Sequence, residues 1–121
     1  MSIFNWIFGN ANKTDNADEI TKKDACYHIE GFLSCVYFQT ATEAADRLAA
    51  KYPNVKVDVS AYTKQQWPER SMELRKEFAT QHRTSPFIYQ GCSADSQTVI
   101  GGYSDFAKII KANYKLNVPM D

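Results

Sequence analysis

Two short motifs constrain this chain more than its composition does: Arg83-Thr84-Ser85-Pro86 and Gly101-Gly102-Tyr103-Ser104-Asp105. Between them lie two apolar runs, Phe87-Ile88-Tyr89 and Thr98-Val99-Ile100, separated by the stretch from Gly91 to Ser96. Aromatic and β-branched runs on either side of a Gly- and Ser-containing turn predict an antiparallel hairpin. The proline before it and the glycine pair after it mark where the hairpin starts and stops. Upstream, Cys35 stands where a strand pattern gives way to a helical one.

The remaining segments alternate strand and helix. Ala25 to Glu30 predicts a short strand. From Val36 to Lys51 the residues Phe38, Ala41, Ala45 and Leu48, followed by Tyr52, recur at helical spacing, and Pro53-Asn54 stops the helix. Val55, Val57 and Val59 alternate with Lys56, Asp58 and Ser60, the pattern of a strand with one polar face. Pro68 suits a first helical turn, so a second helix is expected from Trp67-Pro68 to about Gln81, with Leu74 and Phe78 inward. A third follows Gly102, with Phe106, Ile109, Ile110 and Tyr114 on one stripe. The order is β-α-β-α-β-β-α. It predicts an α/β fold with a four-stranded mixed sheet: two parallel strands around the first helix, then an antiparallel hairpin.

With 121 residues, the chain has room for one core. Fourteen basic residues balance fourteen acidic ones, so neither a nucleic-acid field nor a basic membrane patch is expected. Three cysteines are an odd number, and no Cys-x-x-Cys pair occurs. This argues against a secreted disulfide framework and against zinc. The thiols therefore read as reduced and the protein as intracellular and cytoplasmic. Residues 1–24 read as an apolar tail plus polar linker, 25–116 as the domain and 117–121 as a short C-terminal tail. The apolar start is too short to span a bilayer and lacks the features of a signal peptide. Its cluster Phe4, Trp6, Ile7 and Phe8 has two readings: an anchor that docks on a partner, or a frayed end or strand folding back on the domain.

The element order, the turn Cys35-Val36-Tyr37-Phe38, the Thr84-Ser85-Pro86 loop and the Gly101-Gly102 turn resemble the glutaredoxin family of the thioredoxin fold over residues 25–116. The Cys-x-Tyr turn, Trp-containing second helix, Ser-Pro loop, long hairpin and Gly-Gly turn look most like the divergent glutaredoxin-like domain of putative malate dehydrogenase 1B-type proteins. The resemblance implies that Cys35 is the candidate nucleophile, set where a helix N-terminus favours a thiolate. It implies a glutathione pocket shaped by Tyr37, Arg83, Thr84, Ser85, Pro86, Gly101, Gly102 and Asp105. There the proline bond would be cis, the loop edge would pair with a peptide backbone, and Asp105 would meet the glutathione amino group. Without a ligand, the Gly-Gly turn would equally be a tight strand-to-helix turn capped by Ser104 or Asp105.

The chain also departs from that family. Phe38 stands at the second cysteine position, which rules out a disulfide within the turn. Phe32 stands where the family carries a lysine that supports the thiolate and the glutathione carboxylate. The hairpin is about five residues longer than usual. Its Cys92 has two readings, a second reactive thiol or an incidental exposed one, and Cys26 reads as a small core residue. His28 and His82 read as structural or solvent residues, and Trp67 as packed on the sheet. These departures favour a non-catalytic binding or structural subunit of a larger assembly. From the resemblance alone, that assembly would be ciliary or cytoskeletal. The competing reading is a monothiol glutathione-dependent oxidoreductase using Cys35. A [2Fe–2S] cluster bridging two copies is disfavoured by the bulk of Phe38 and the missing lysine.

Overall fold

Side chains on successive residues of a strand point to opposite faces, and the first strand here uses both faces differently. In the computed structural model, which describes residues 23–119, β1 (Ala25–Phe32) buries Tyr27 and Ile29 on one face and Glu30 on the other. The elements that follow are α1 (Val36–Lys51), β2 (Val55–Tyr62), α2 (Trp67–Phe78), β3 (Phe87–Gln90), a 3-10 turn (Ala94–Ser96), β4 (Thr98–Gly101) and α3 (Tyr103–Ile109). The last helix runs on into a π-helical turn, Ile110–Tyr114. The sheet order is β2-β1-β3-β4. β1 and β2 are parallel, from Ala25 opposite Val55 to Phe32 opposite Tyr62. β3 is antiparallel to both β1 and β4. This is the mixed sheet and element order that the sequence predicts.

One face of the sheet carries the larger core. Tyr27, Ile29, Val55 and Ile88 meet Phe38, Ala41, Ala45 and Leu48 of α1 and Phe106, Ala107 and Ile110 of the last helix. The alanines keep the α1 contact stripe shallow. The hydroxyls of Tyr27 and Tyr114 lie 3.1 Å apart inside this core. Burial, and then that contact, push Tyr27 above the ordinary tyrosine range. Val118 joins the same cluster, and the Tyr103 hydroxyl donates to the Pro119 carbonyl, so the last described residues are tied to the domain.

α2 covers only part of the other face. Trp67, Leu74 and Phe87 form its apolar center, with Phe32, Tyr62, Phe78, Tyr89 and Val99 around them. Trp67 thus packs on the sheet, its ring 5.9 Å from that of Tyr62. Within this layer Glu30 is only 3% exposed. Arg70 donates Nε to Oε1 at 2.7 Å and Nη2 to Oε2 at 3.0 Å. Tyr62 donates to Oε1 at 2.9 Å and Tyr89 to Oε2 at 2.6 Å. Burial alone would raise the Glu30 pKa. The hydrogen bonds from Arg70, Tyr89 and Tyr62 outweigh it and hold the carboxyl below its usual range. Burial, and then donation to Glu30, push the two tyrosines upward.

Two sequence expectations are corrected here. The second helix ends at Phe78, not near Gln81, because Ala79 turns left-handed at φ 52°. The chain then doubles back, and Ser71 Oγ pins it by donating to the Arg83 carbonyl at 2.9 Å. Second, the cysteines are not all free. Cys26 and Cys92 form a disulfide with Cα atoms 4.9 Å apart, leaving Cys35 as the free thiol. Cys26 is therefore not a core thiol, and Cys92 is not incidental. The cause is register: pairing of β1 with β3 brings Gly91 N–H to the Cys26 carbonyl at 2.9 Å, and a positive φ of 136° at Gly91 swings Cys92 back. A separation of 66 residues hides this from the sequence. The tail residues 1–22, including Phe4, Trp6, Ile7 and Phe8, lie outside the described residues. Among the described residues, no helix is long and apolar enough to cross a membrane.

Removing the Glu30 carboxylate leaves the Tyr62 and Tyr89 hydroxyls without their acceptor and Arg70 with Glu73 alone. Glu30→Ala is expected to lower unfolding free energy by about 3–5 kcal/mol in urea titrations. The folded Glu30 pKa lies below its unfolded value of about 4.3, so the contribution is complete above that pH. It is lost as pH falls through the folded pKa. Stability measured across this acid range should therefore fall more steeply for the natural sequence than for Glu30→Gln.

Candidate functional site

The site begins at Gly31, near the end of β1. A Cβ there would lie 2.4 Å from Ser85 Oγ and 2.5 Å from Phe38 Cδ1. Only a hydrogen fits, and this lets the Thr-Ser-Pro loop and the first helix close on the strand. The Phe32 N–H donates to Ser85 Oγ at 3.2 Å. The chain then turns tightly, with Cys35 N–H bonding to the Phe32 carbonyl at 3.1 Å. Cys35 is the extended residue just before α1, and its Sγ donates to the Ser85 carbonyl at 3.4 Å. One serine thus ties the cysteine turn to the proline loop through both its side chain and its backbone. The Ser85–Pro86 bond is cis.

The opposite wall is the Gly-Gly turn. Gly101 has φ 128°, and a Cβ on it would lie 2.4 Å from Asp105 Oδ2. Gly102 N–H donates to that same oxygen at 3.2 Å. Asp105 therefore closes the first turn of α3, which is the capping role the sequence allows for it. Between the two walls stands His82. Its Nε2 is 3.1 Å from the Pro86 carbonyl and 3.4 Å from Thr84 Oγ1. A Cβ on Gly102 would come within 3.3 Å of the His82 ring. Donation to a carbonyl requires the proton on Nε2. The sequence reading of His82 as a structural or solvent residue does not place it at the pocket. Its hydrogen-bond partners are local, two and four residues on, but the approach of Gly102 that sets it in the wall comes from the far side of the hairpin.

These elements enclose a pocket of about 260 Å³, lined by Tyr37, His82, Thr84, Ser85, Pro86, Gly102, Tyr103, Ser104 and Asp105. Of the residues singled out from the sequence, Tyr37, Thr84, Ser85, Pro86, Gly102 and Asp105 line it. Gly101 backs the turn, and half-buried Cys35 meets the rim through Ser85. Arg83 is not brought in: its side chain is exposed and it is absent from the lining. Phe38 is 4% exposed and belongs to the core, so it fills the second cysteine position without reaching the pocket. Around Cys35 the surface is apolar: Leu33, Val36 and Tyr37 are 59%, 68% and 50% exposed.

The lining can be tested against glutathione, which carries two carboxylates and one ammonium. The pocket offers neutral hydroxyls, loop backbone, an imidazole and the Asp105 carboxylate, but neither Lys nor Arg. An extended peptide backbone or an amino group suits it. Two carboxylates do not, because each would lose water without gaining a cation.

Over residues 26–121 the chain matches the family described as the putative malate dehydrogenase 1B N-terminal domain. Among solved structures it is similar to Escherichia coli glutaredoxin, with a TM-score of 0.54, 22% identity, and coverage of 75% of this chain and 99% of that one. It is also similar to mitochondrial thioredoxin 3 from Saccharomyces cerevisiae, with a TM-score of 0.47, 17% identity, and coverage of 85% and 89%. A chain from a structure of the thiol-resolving mechanism in yeast mitochondrial 1-Cys peroxiredoxin via glutathione/thioredoxin systems gives a TM-score of 0.49 at 19% identity, covering 87% and 91%. At such identities the likeness speaks to fold alone. No curated protein matches the chain.

The contacts of Gly31 give a direct handle on the pocket. Gly31→Ala is expected to cost about 1–3 kcal/mol by overpacking against the buried Phe38 ring. It should also push Ser85 away and break the Phe32–Ser85 hydrogen bond. Amide chemical shifts at Phe32, Ser85 and Gly102 would report this, while those in the second half of α1 stay fixed.

Proposed function

The chain belongs to the putative malate dehydrogenase 1B N-terminal-domain family, and we propose that it works as a binding module: the glutaredoxin-type pocket holds an extended protein segment rather than turning over disulfides. The observation that carries this reading is the buried phenyl ring of Phe38 at the position of a resolving thiol. The turn has one sulfur, and that sulfur is engaged as a donor to the Ser85 carbonyl. Three supports go with it. Phe32 replaces the cation that would assist a thiolate and an anionic ligand. The pocket walls contain neither Lys nor Arg. Exposed Leu33, Val36 and Tyr37 extend the pocket into an apolar shelf suited to a partner side chain.

In this reading the partner lays its backbone along the loop edge at Thr84-Ser85 and an apolar side chain over Tyr37. Backbone pairing with Thr84 on that edge gives affinity, and the shelf gives selectivity. The domain is then a subunit of a larger intracellular assembly, and the apolar cluster Phe4, Trp6, Ile7 and Phe8 is a second point of attachment. A ciliary or cytoskeletal assembly remains the family-based suggestion for its home.

The competing reading, a monothiol glutathione-dependent oxidoreductase, draws on one observation: Cys35 is half-buried rather than sealed and sits at the rim of the pocket. The two readings separate on substitution of Cys35. Deglutathionylation by the natural protein should be at the level of Cys35→Ser, and both should retain the same bound proteins. A substitution placed on the shelf, Tyr37→Asp, should release those proteins while leaving the melting temperature in place. Turnover that disappears with Cys35→Ser would favour the enzyme instead.

A further inference from the structure

The long hairpin holds a second sulfur site, at the other end of β1 from Cys35. Cys26 is the second residue of β1 and Cys92 lies just beyond β3. Six residues of strand separate Cys26 from Phe32, about 20 Å at 3.3 Å per residue. Two observations concern the accessibility of this bond, and a third what it holds. Cys92 is exposed and Cys26 half-buried, and neither sits among the buried residues of the two apolar clusters. A cavity of about 300 Å³ opens against the bond, with Asp24, Gln90, Gly91 and Ser96 among its walls beside both cysteines. It is open enough to admit a small thiol.

The third observation concerns what the bond holds. The 3-10 turn Ala94–Ser96 buries no side chain. The hydrogen bonds inside the loop are local: Ser96 N–H to the Ser93 carbonyl at 3.0 Å, and Ser93 Oγ to Asp95. The loop meets the sheet at its two ends, where His28 Nε2 contacts the Gly91 carbonyl at 2.9 Å and the Gln97 amide at 3.3 Å. Between those ends the covalent bond at Cys92 does the tethering. A segment with no buried apolar contact opens at little cost once its tether is cut.

We propose that Cys26–Cys92 is an exchange-competent disulfide, opened by a dithiol reductant from the exposed Cys92 side, and that its opening releases the loop Gly91–Gln97 while the core stays folded. A thiolate of the reductant attacks Cys92 Sγ and forms a mixed disulfide. The Cys26–Cys92 bond breaks, and Cys26 leaves as a thiolate that takes up a proton. The second thiol of the reductant then attacks its own sulfur in the mixed disulfide. This frees Cys92, which is protonated in turn. The domain gains two electrons and two protons, and the reductant becomes a disulfide. This chemistry needs nothing from Cys35 and stands whether or not the pocket binds a peptide.

The test uses the full chain after air oxidation, with dithiothreitol as the reductant under native conditions. Alkylation with iodoacetamide followed by peptide mass spectrometry should label Cys35 alone before reduction and all three cysteines after it. Amide hydrogen exchange across residues 91–97 should accelerate about tenfold or more on reduction, with β1 and α1 unchanged. Cys92→Ser should show the fast loop exchange without reductant. The proposal is overturned if Cys26 and Cys92 label freely in the oxidised protein, or if they resist dithiothreitol until urea is added. It is equally overturned if reduction leaves loop exchange unaltered or speeds β1 along with the loop.

Discussion

A buried carboxylate holds this fold in place. Taking Glu30 out of water costs several kcal/mol, and the cost is met only if its oxygens are filled. Arg70 from α2, Tyr62 from β2 and Tyr89 from β3 fill them. Four elements therefore converge on two oxygen atoms. Slipping β1 by one residue would turn the carboxylate into the apolar face and Ile29 out of it, so the network also fixes register. The next two residues of the strand are Gly31 and Phe32, which meet Ser85. The position of the pocket thus descends from the position of Glu30.

Much of the architecture is readable in the chain because its signals are local. The valines at 55, 57 and 59, the α1 stripe and the Pro68 start each state their element within a few residues. The Gly101-Gly102 turn and the Thr84-Ser85-Pro86 loop do the same, and six of the eight residues that the family resemblance groups together line one pocket. What stayed hidden acts across the sheet. Glu30 and Arg70 lie 40 residues apart, and Cys26 and Cys92 lie 66 apart. Their pairing follows from register, which no window of sequence contains. His82 and Gly31 are of the same kind, since each matters for what a distant turn brings against it. The early end of α2 rests on a left-handed alanine, a conformation that residue type does not announce.

The two ends of β1 have taken different courses. At the Phe32 end lies the pocket, with Phe38 buried behind it and neither Lys nor Arg in its walls. At the Cys26 end a disulfide ties the strand to the hairpin. The pocket and the Cys26–Cys92 disulfide thus lie about 20 Å apart along one strand. A central strand of a rigid sheet can carry such a division, because changes at one end need not deform the other.

The contact between Phe38 and Gly31 also limits what position 38 will accept. The ring fills space that the glycine leaves open, and Ala41, Ala45 and Leu48 pack behind it in the same cluster. A cysteine at position 38 would empty much of that volume, at a cost on the order of 3 kcal/mol or more for so large a truncation. A small domain has only about 5–15 kcal/mol in hand. A second sulfur in this turn would therefore require the core behind it to be refilled by further substitutions.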